Sequence, residues 1–119
     1  MKYNVKTLHS LFFKKKYQKA LMVVEEMLIK NQISPYLLVR KARLIMLQNE
    51  SDLHDINDVE KILLQAYEIN PDDLEVLEEL YYYYNVIAQN FTASDKYKNI
   101  LLKIVLKKTD EIIENEESN

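Results

Sequence analysis

Apolar side chains return at every third or fourth position along almost the whole chain, and the polar interruptions mark out six helices. The first runs from about residue 2 to 14, with Val5, Leu8, Leu11 and Phe12 on one side. Lys14, Lys15 and Lys16 break the pattern. The second runs from about 17 to 31, and Tyr17, Ala20, Leu21, Val24, Met27 and Leu28 form the stripe of a half-buried helix. Ser34 and Pro35 open the third helix, because serine caps free N–H groups and proline suits the first helical position. It reaches about Gln48, and the polar stretch from Asn49 to Asp55 reads as a loop.

Asn57 and Glu60 suit a capping-box start to the fourth helix, which continues through Ile62, Leu63, Ala66 and Ile69. The clearest boundary is Asn70, Pro71, Asp72 and Asp73: a cap, a first-position proline and two acids at the positive end of the helix dipole. The fifth helix runs to about Gln89. Thr92 or Ser94 starts the sixth, which reaches about Glu114 over a length of about 33 Å. The acidic tail 115–119 is expected to fray.

Composition sharpens this picture. Of the 119 residues, 48 % are hydrophobic and 29 % charged, which is ordinary globular usage with room for one domain. Glycine is absent, where average usage gives about 8 residues. That excludes Gly-rich phosphate loops and leaves helix ends without their usual left-handed residue. Asn31, Asn49 and Asn90 sit at the expected ends and are the next-best residues for that geometry. Asn70 is driven to extended geometry by Pro71. Cysteine is also absent, which removes disulfides, thiolate metal sites and a Cys nucleophile.

No run reaches 18 apolar residues, so no membrane span is expected, and the N-terminal stretch lacks the form of a secretory signal. The expected location is cytoplasmic. The net charge of −3 is unevenly spread. Residues 1–43 carry ten Lys or Arg against Glu25 and Glu26, or +8; residues 44–95 carry twelve acids against Lys61, or −11; residues 96–119 are balanced. Such asymmetry bears on partners and association rather than on fold.

The six helices also repeat. Ala20, Val59 and Ala93 begin the second helix of each pair, 39 and 34 residues apart, and Val24, Leu63 and Tyr97 follow four residues later. Pro35 and Pro71 open the next first helix, 36 apart. Helical pairs recurring near this period stack into a solenoid. The stretch from Phe12 to Leu21, the exit from Ala66 to Asp73, and Leu77, Leu80 and Tyr84 together resemble the tetratricopeptide repeat family. The resemblance covers nearly the whole chain. It departs in lacking Trp and the turn glycine, and in carrying Tyr81 where a small residue is usual. It implies an all-α fold: a right-handed α-solenoid of three antiparallel helix pairs, with repeats of about 1–34, 35–70 and 71–109 in a single domain 1–114. It also implies that first helices line a concave groove. Mapped here, the groove residues are Val5, His9 and Phe12, then Ala42 and Met46, then Glu75, Glu78, Tyr82 and Asn85.

Few residues suggest chemistry. His9 and His54 lie in different repeats and form no ligand set, so no metal and no cofactor are expected. Asp72, Asp73, Glu75, Glu78 and Glu79 read as a dipole-matched, solvated helix start rather than as an acid–base pair. The basic run Lys14–Lys16 with Lys19 lies at a turn without an aromatic–basic strand-binding pattern, and nucleic acid is not expected as a partner. Tyr81 to Tyr84 spread over about 300° of a helical wheel and cannot share one core. They serve either an interface or the packing of neighbouring helices.

The chain therefore reads as a non-enzymatic module that binds another protein or peptide, with His9, Phe12, Met46, Glu75, Glu78, Glu79, Tyr82 and Asn85 as partner-binding residues. In a sharper version the acidic region 44–95 docks onto a basic protein. A bacterial immunity protein against a basic toxin fits the size and charge, as does a small secretion chaperone. A self-associating structural protein is the rival, with the basic end of one chain meeting the acidic middle of another. The expected state is a monomer or weak dimer.

Overall fold

A computed structural model of the protein describes residues 4–48 and 56–117. Every regular element among them is helical: α1 (Val5–Phe13), α2 (Tyr17–Lys30), α3 (Pro35–Leu47), α4 (Asn57–Ile69), α5 (Leu74–Tyr82), a π-helical turn (Tyr83–Ile87) and α6 (Phe91–Glu117). The protein is thus all-α. None of the described helices is long and apolar enough to cross a membrane. The chain divides into two compact units, Met1–Pro71 and Asp72–Asn119, at the boundary that Asn70 and Pro71 mark in the sequence.

In the first unit, local chemistry starts and stops the helices. Asn4 caps α1, its Oδ1 accepting from the Thr7 amide at 2.9 Å. Ser34 Oγ accepts from the Leu37 amide at 3.2 Å, with Pro35 as the first residue of α3. Asn57, expected as the cap, is the first residue of α4, one place after the cap position Ile56, whose side chain makes no cap hydrogen bond. The stretch 49–55, with the expected loop, Asn49 and His54, lies outside the described residues. Helix α1 packs on α2, α2 on α3 and α3 on α4. Leu8, Ala20, Val24, Val39, Ala42, Leu44, Val59, Leu63 and Ala66 are wholly buried in this unit. The equivalences Ala20 with Val59 and Val24 with Leu63 are therefore equivalences of burial.

In the second unit, α5 and the π turn pack against α6. Asp73, not Asn70, is the N-cap of α5, and its Oδ1 accepts from the amides of Glu75 at 3.0 Å and Val76 at 3.2 Å. Asn70 ends α4 in extended geometry (φ −145°). Asn90 caps α6 in place of Thr92 or Ser94: its Oδ1 accepts from the Ala93 amide at 3.2 Å. Ser94 is buried instead, with its hydroxyl donating to the Phe91 carbonyl at 3.2 Å. Helix α6 continues to Glu117, with no glycine or proline along it to break the run of one hydrogen bond per residue.

Among the described residues the left-handed positions are not asparagines. Lys15 (φ 58°) and Gln89 (φ 52°) hold that conformation, whereas Asn31 sits at φ −139°. At the α1–α2 turn the Lys16 amide donates to the Leu11 carbonyl at 2.9 Å and the Lys15 amide to the Phe12 carbonyl at 3.0 Å. These are the two bonds of a Schellman motif, which forces its C′ residue left-handed whatever its type. The turn after α5 is wider. The Ala88 amide donates to the Tyr83 carbonyl at 2.9 Å and the Asn90 amide to the Tyr84 carbonyl at 2.8 Å.

Candidate functional site

Each unit carries a partly exposed helix face. In the first unit it spans α1 and α3. His9 Nε2 lies 2.9 Å from Tyr36 Oη, a hydrogen bond between the two helices. The Arg40 guanidinium sits 4.1 Å from the centroid of the Tyr36 ring, a cation–π contact worth about 0.5–1 kcal/mol at an exposed site. Tyr36, Arg40 and Arg43 recur at i, i+4 and i+7 along α3 and are all half-buried. This row was legible as one aromatic and two guanidinium groups at helical spacing, but sequence mapping places the groove at Ala42 and Met46 instead.

The other expected residues of this unit fall in different surroundings. Ala42 is wholly buried and has no surface to offer a partner. Met46 is half-buried. Val5 and His9 are exposed. Phe12 is half-buried, with its ring edge-to-face against Tyr17 at 6.3 Å and 64°, so part of its surface is covered by α2. His9 is thus drawn into a cluster with Tyr36 and Arg40, while Phe12 belongs to the α1–α2 contact.

In the second unit the face lies on α5. Glu75, Glu78, Glu79 and Tyr82 stand at i, i+3, i+4 and i+7 and so share one stripe. Glu78 is exposed, Glu75 and Glu79 are half-buried, and Tyr82 is 46 % exposed. Val76, Leu77 and Leu80 occupy the opposite side and are wholly buried. The core therefore fixes which way the carboxylates face. Asn85 lies in the π turn and is half-buried.

The tyrosine run splits as its wheel positions require. Tyr83 and Tyr84 are buried, Tyr81 is half-buried and Tyr82 is exposed. Tyr84 stacks on Tyr97 of α6 with centroids 5.7 Å apart and planes 5° from parallel, and Tyr83 meets Tyr84 edge-on at 5.3 Å. These rings hold α6 against the π turn. Among the four, only Tyr82 joins the acidic stripe.

A third feature is basic. Lys15, Lys16, Tyr17, Gln18, Lys19, Met22 and Gln48 line an open cleft of about 550 Å³ beside the α1–α2 turn. Among the described residues no group of three or more His, Cys, Asp or Glu could hold a metal ion, and no buried side-chain nitrogen or oxygen lacks a hydrogen-bond partner. The two helix faces present charge, hydrogen-bonding groups and aromatic surface, the means of non-covalent recognition. Compared with protein-family models, curated proteins and solved structures, the chain finds no match.

Proposed function

We propose that this chain is a non-enzymatic protein-interaction module of the tetratricopeptide-like kind, a right-handed stack of helix pairs whose first helices receive a partner polypeptide. The observation that carries the reading is the α5 stripe, where three carboxylates and a half-exposed tyrosine lie opposite a wholly buried apolar side. An aromatic body beside a row of negative charge suits a basic segment of another protein: the ring supplies contact area, and the carboxylates set orientation and encounter rate. The His9–Tyr36–Arg40 cluster supplies a second polar and aromatic surface of opposite charge.

The test begins with affinity capture from the native host and mass spectrometry, which names the partner. Its affinity is then titrated against salt for the native chain and for the variant Glu75→Lys, Glu78→Lys, Glu79→Lys. The expected result is a loss of at least tenfold in affinity and a flatter salt dependence. Unchanged affinity and salt slope would refute docking through this stripe.

A further inference from the structure

Helix α6 outruns the elements that cover it. Helix α5 has nine residues and the π turn five, about 21 Å together, against about 40 Å for the 27 residues of α6. The first part of α6 is packed: Ser94 and Tyr97 are buried, and Ile100, Leu101 and Ile104 are half-buried. From residue 105 to 116 every side chain is exposed.

The exposed part is not polar all round. Leu102, Val105, Thr109 and Ile112 follow one another at steps of three, four and three, the seam spacing of a coiled coil. Leu106 and Ile113 widen the seam on one side. The five aliphatic residues are 41–61 % exposed, which leaves roughly 500 Å² of apolar surface, the size of the largest patch on a typical monomer. The Thr109 hydroxyl donates to the Val105 carbonyl at 2.9 Å, so its polar need is met within the helix.

Two features of this surface are self-complementary. The seam is symmetric about residue 107: Leu102 mirrors Ile112, and Val105 mirrors Thr109. The charge is antisymmetric about nearly the same point. Lys96, Lys98, Lys103, Lys107 and Lys108 stand against Asp95 alone up to residue 108, and Asp110, Glu111, Glu114, Glu116 and Glu117 follow with no base. Lys98 and Glu116 are 18 residues apart, five turns at about 3.6 residues per turn, so they close the two ends of one face. A surface that maps onto itself in this way is what a two-fold contact needs.

We propose that α6 pairs antiparallel with α6 of a second copy of this chain, through the seam Leu102, Val105, Thr109 and Ile112. In that register Lys98 of each copy meets Glu116 of the other at both ends of the seam. A parallel pairing would set Lys98 beside Lys98 and Glu116 beside Glu116. The paired patches bury roughly 1,000 Å², at the lower limit for a specific interface, so the dimer forms at micromolar rather than nanomolar concentration. This pairing is independent of the α5 stripe, and the triple Glu→Lys variant above leaves it intact.

Sedimentation equilibrium of the full chain, from low to several hundred micromolar, is the test. A monomer–dimer equilibrium is expected, and a monomer throughout overturns the proposal. Lys98→Glu is expected to weaken the dimer about tenfold, since it replaces attraction by repulsion twice in a two-fold assembly. Lys98→Glu combined with Glu116→Lys restores it; failure of the double variant to recover overturns the register. Both positions are exposed, so neither change threatens folding, which circular dichroism verifies. Orientation is read by oxidation, because the chain has no cysteine of its own. In the antiparallel register residue 105 of one copy lies level with residue 109 of the other, whereas the two copies of residue 102 are offset by roughly 15 Å along the helix. A mixture of Val105→Cys and Thr109→Cys chains is therefore expected to form the mixed disulfide readily, and Leu102→Cys is not expected to cross-link. Cross-linking of Leu102→Cys, with none between the Val105→Cys and Thr109→Cys chains, indicates parallel helices and refutes the pairing.

Discussion

Replacing Lys15 by glycine should make the protein more stable. Lys15 is left-handed (φ 58°) because the Schellman bonds from Lys15 to Phe12 and from Lys16 to Leu11 require it. A residue with a Cβ loses about 1–2 kcal/mol in that conformation, and glycine does not. Part of the gain is returned to the freer unfolded chain, which leaves about 1 kcal/mol in favour of Lys15→Gly. With an unfolding entropy of about 2.1 cal/mol/K per residue, this raises Tm by about 4 °C if all 119 residues unfold together. If Met1–Pro71 unfolds by itself, the same free energy raises Tm by about 7 °C. Lys15→Ala is the control, since it removes the charge from the lysine cluster without freeing the backbone. Asn31→Gly is the second control: Asn31 sits at φ −139°, so glycine relieves nothing there and should be neutral or destabilising. The assay is thermal and urea unfolding followed by circular dichroism. A Lys15→Gly protein no more stable than Lys15→Ala, or an Asn31→Gly protein that gains stability, would refute the reasoning.

Two other changes probe the second unit. Tyr84→Ala removes both the stacked contact with Tyr97 and the edge contact with Tyr83, and should cost about 3 kcal/mol in urea unfolding, within the range for emptying a buried aromatic site. Asp73→Ala leaves the amides of Glu75 and Val76 without their cap and should cost about 1 kcal/mol, whereas Asp73→Ser, which keeps a capping oxygen, should cost clearly less. Equal losses for the two substitutions would mean that the Asp73 side chain does not start α5.

Among the described residues, the number of α-helices, their order and most of their limits were legible in the sequence because they follow from local rules. Apolar spacing sets which residues turn inward, and Ser34 with Pro35 opens α3 where the serine–proline pair predicts. The buried pairs Ala20 with Val24 and Val59 with Leu63 were readable for the same reason. The α5 stripe was also accessible, since four residues at i, i+3, i+4 and i+7 share a face in any α-helix.

Tertiary structure decided what depends on which helix lies beside which. His9 meets Tyr36 across 27 positions of chain, and no local pattern announces that pairing. Ala42 is swallowed by neighbours that the sequence does not place, which moves the accessible face of α3 to Tyr36, Arg40 and Arg43. The caps shifted to Asp73 and Asn90, and the left-handed turns to Lys15 and Gln89, because the path between packed helices sets where each turn must fall. Residue preference only grades the occupants of such a turn, by about 1 kcal/mol. Packing of the wholly buried side chains outweighs that preference, so composition predicts helices here and geometry chooses their ends.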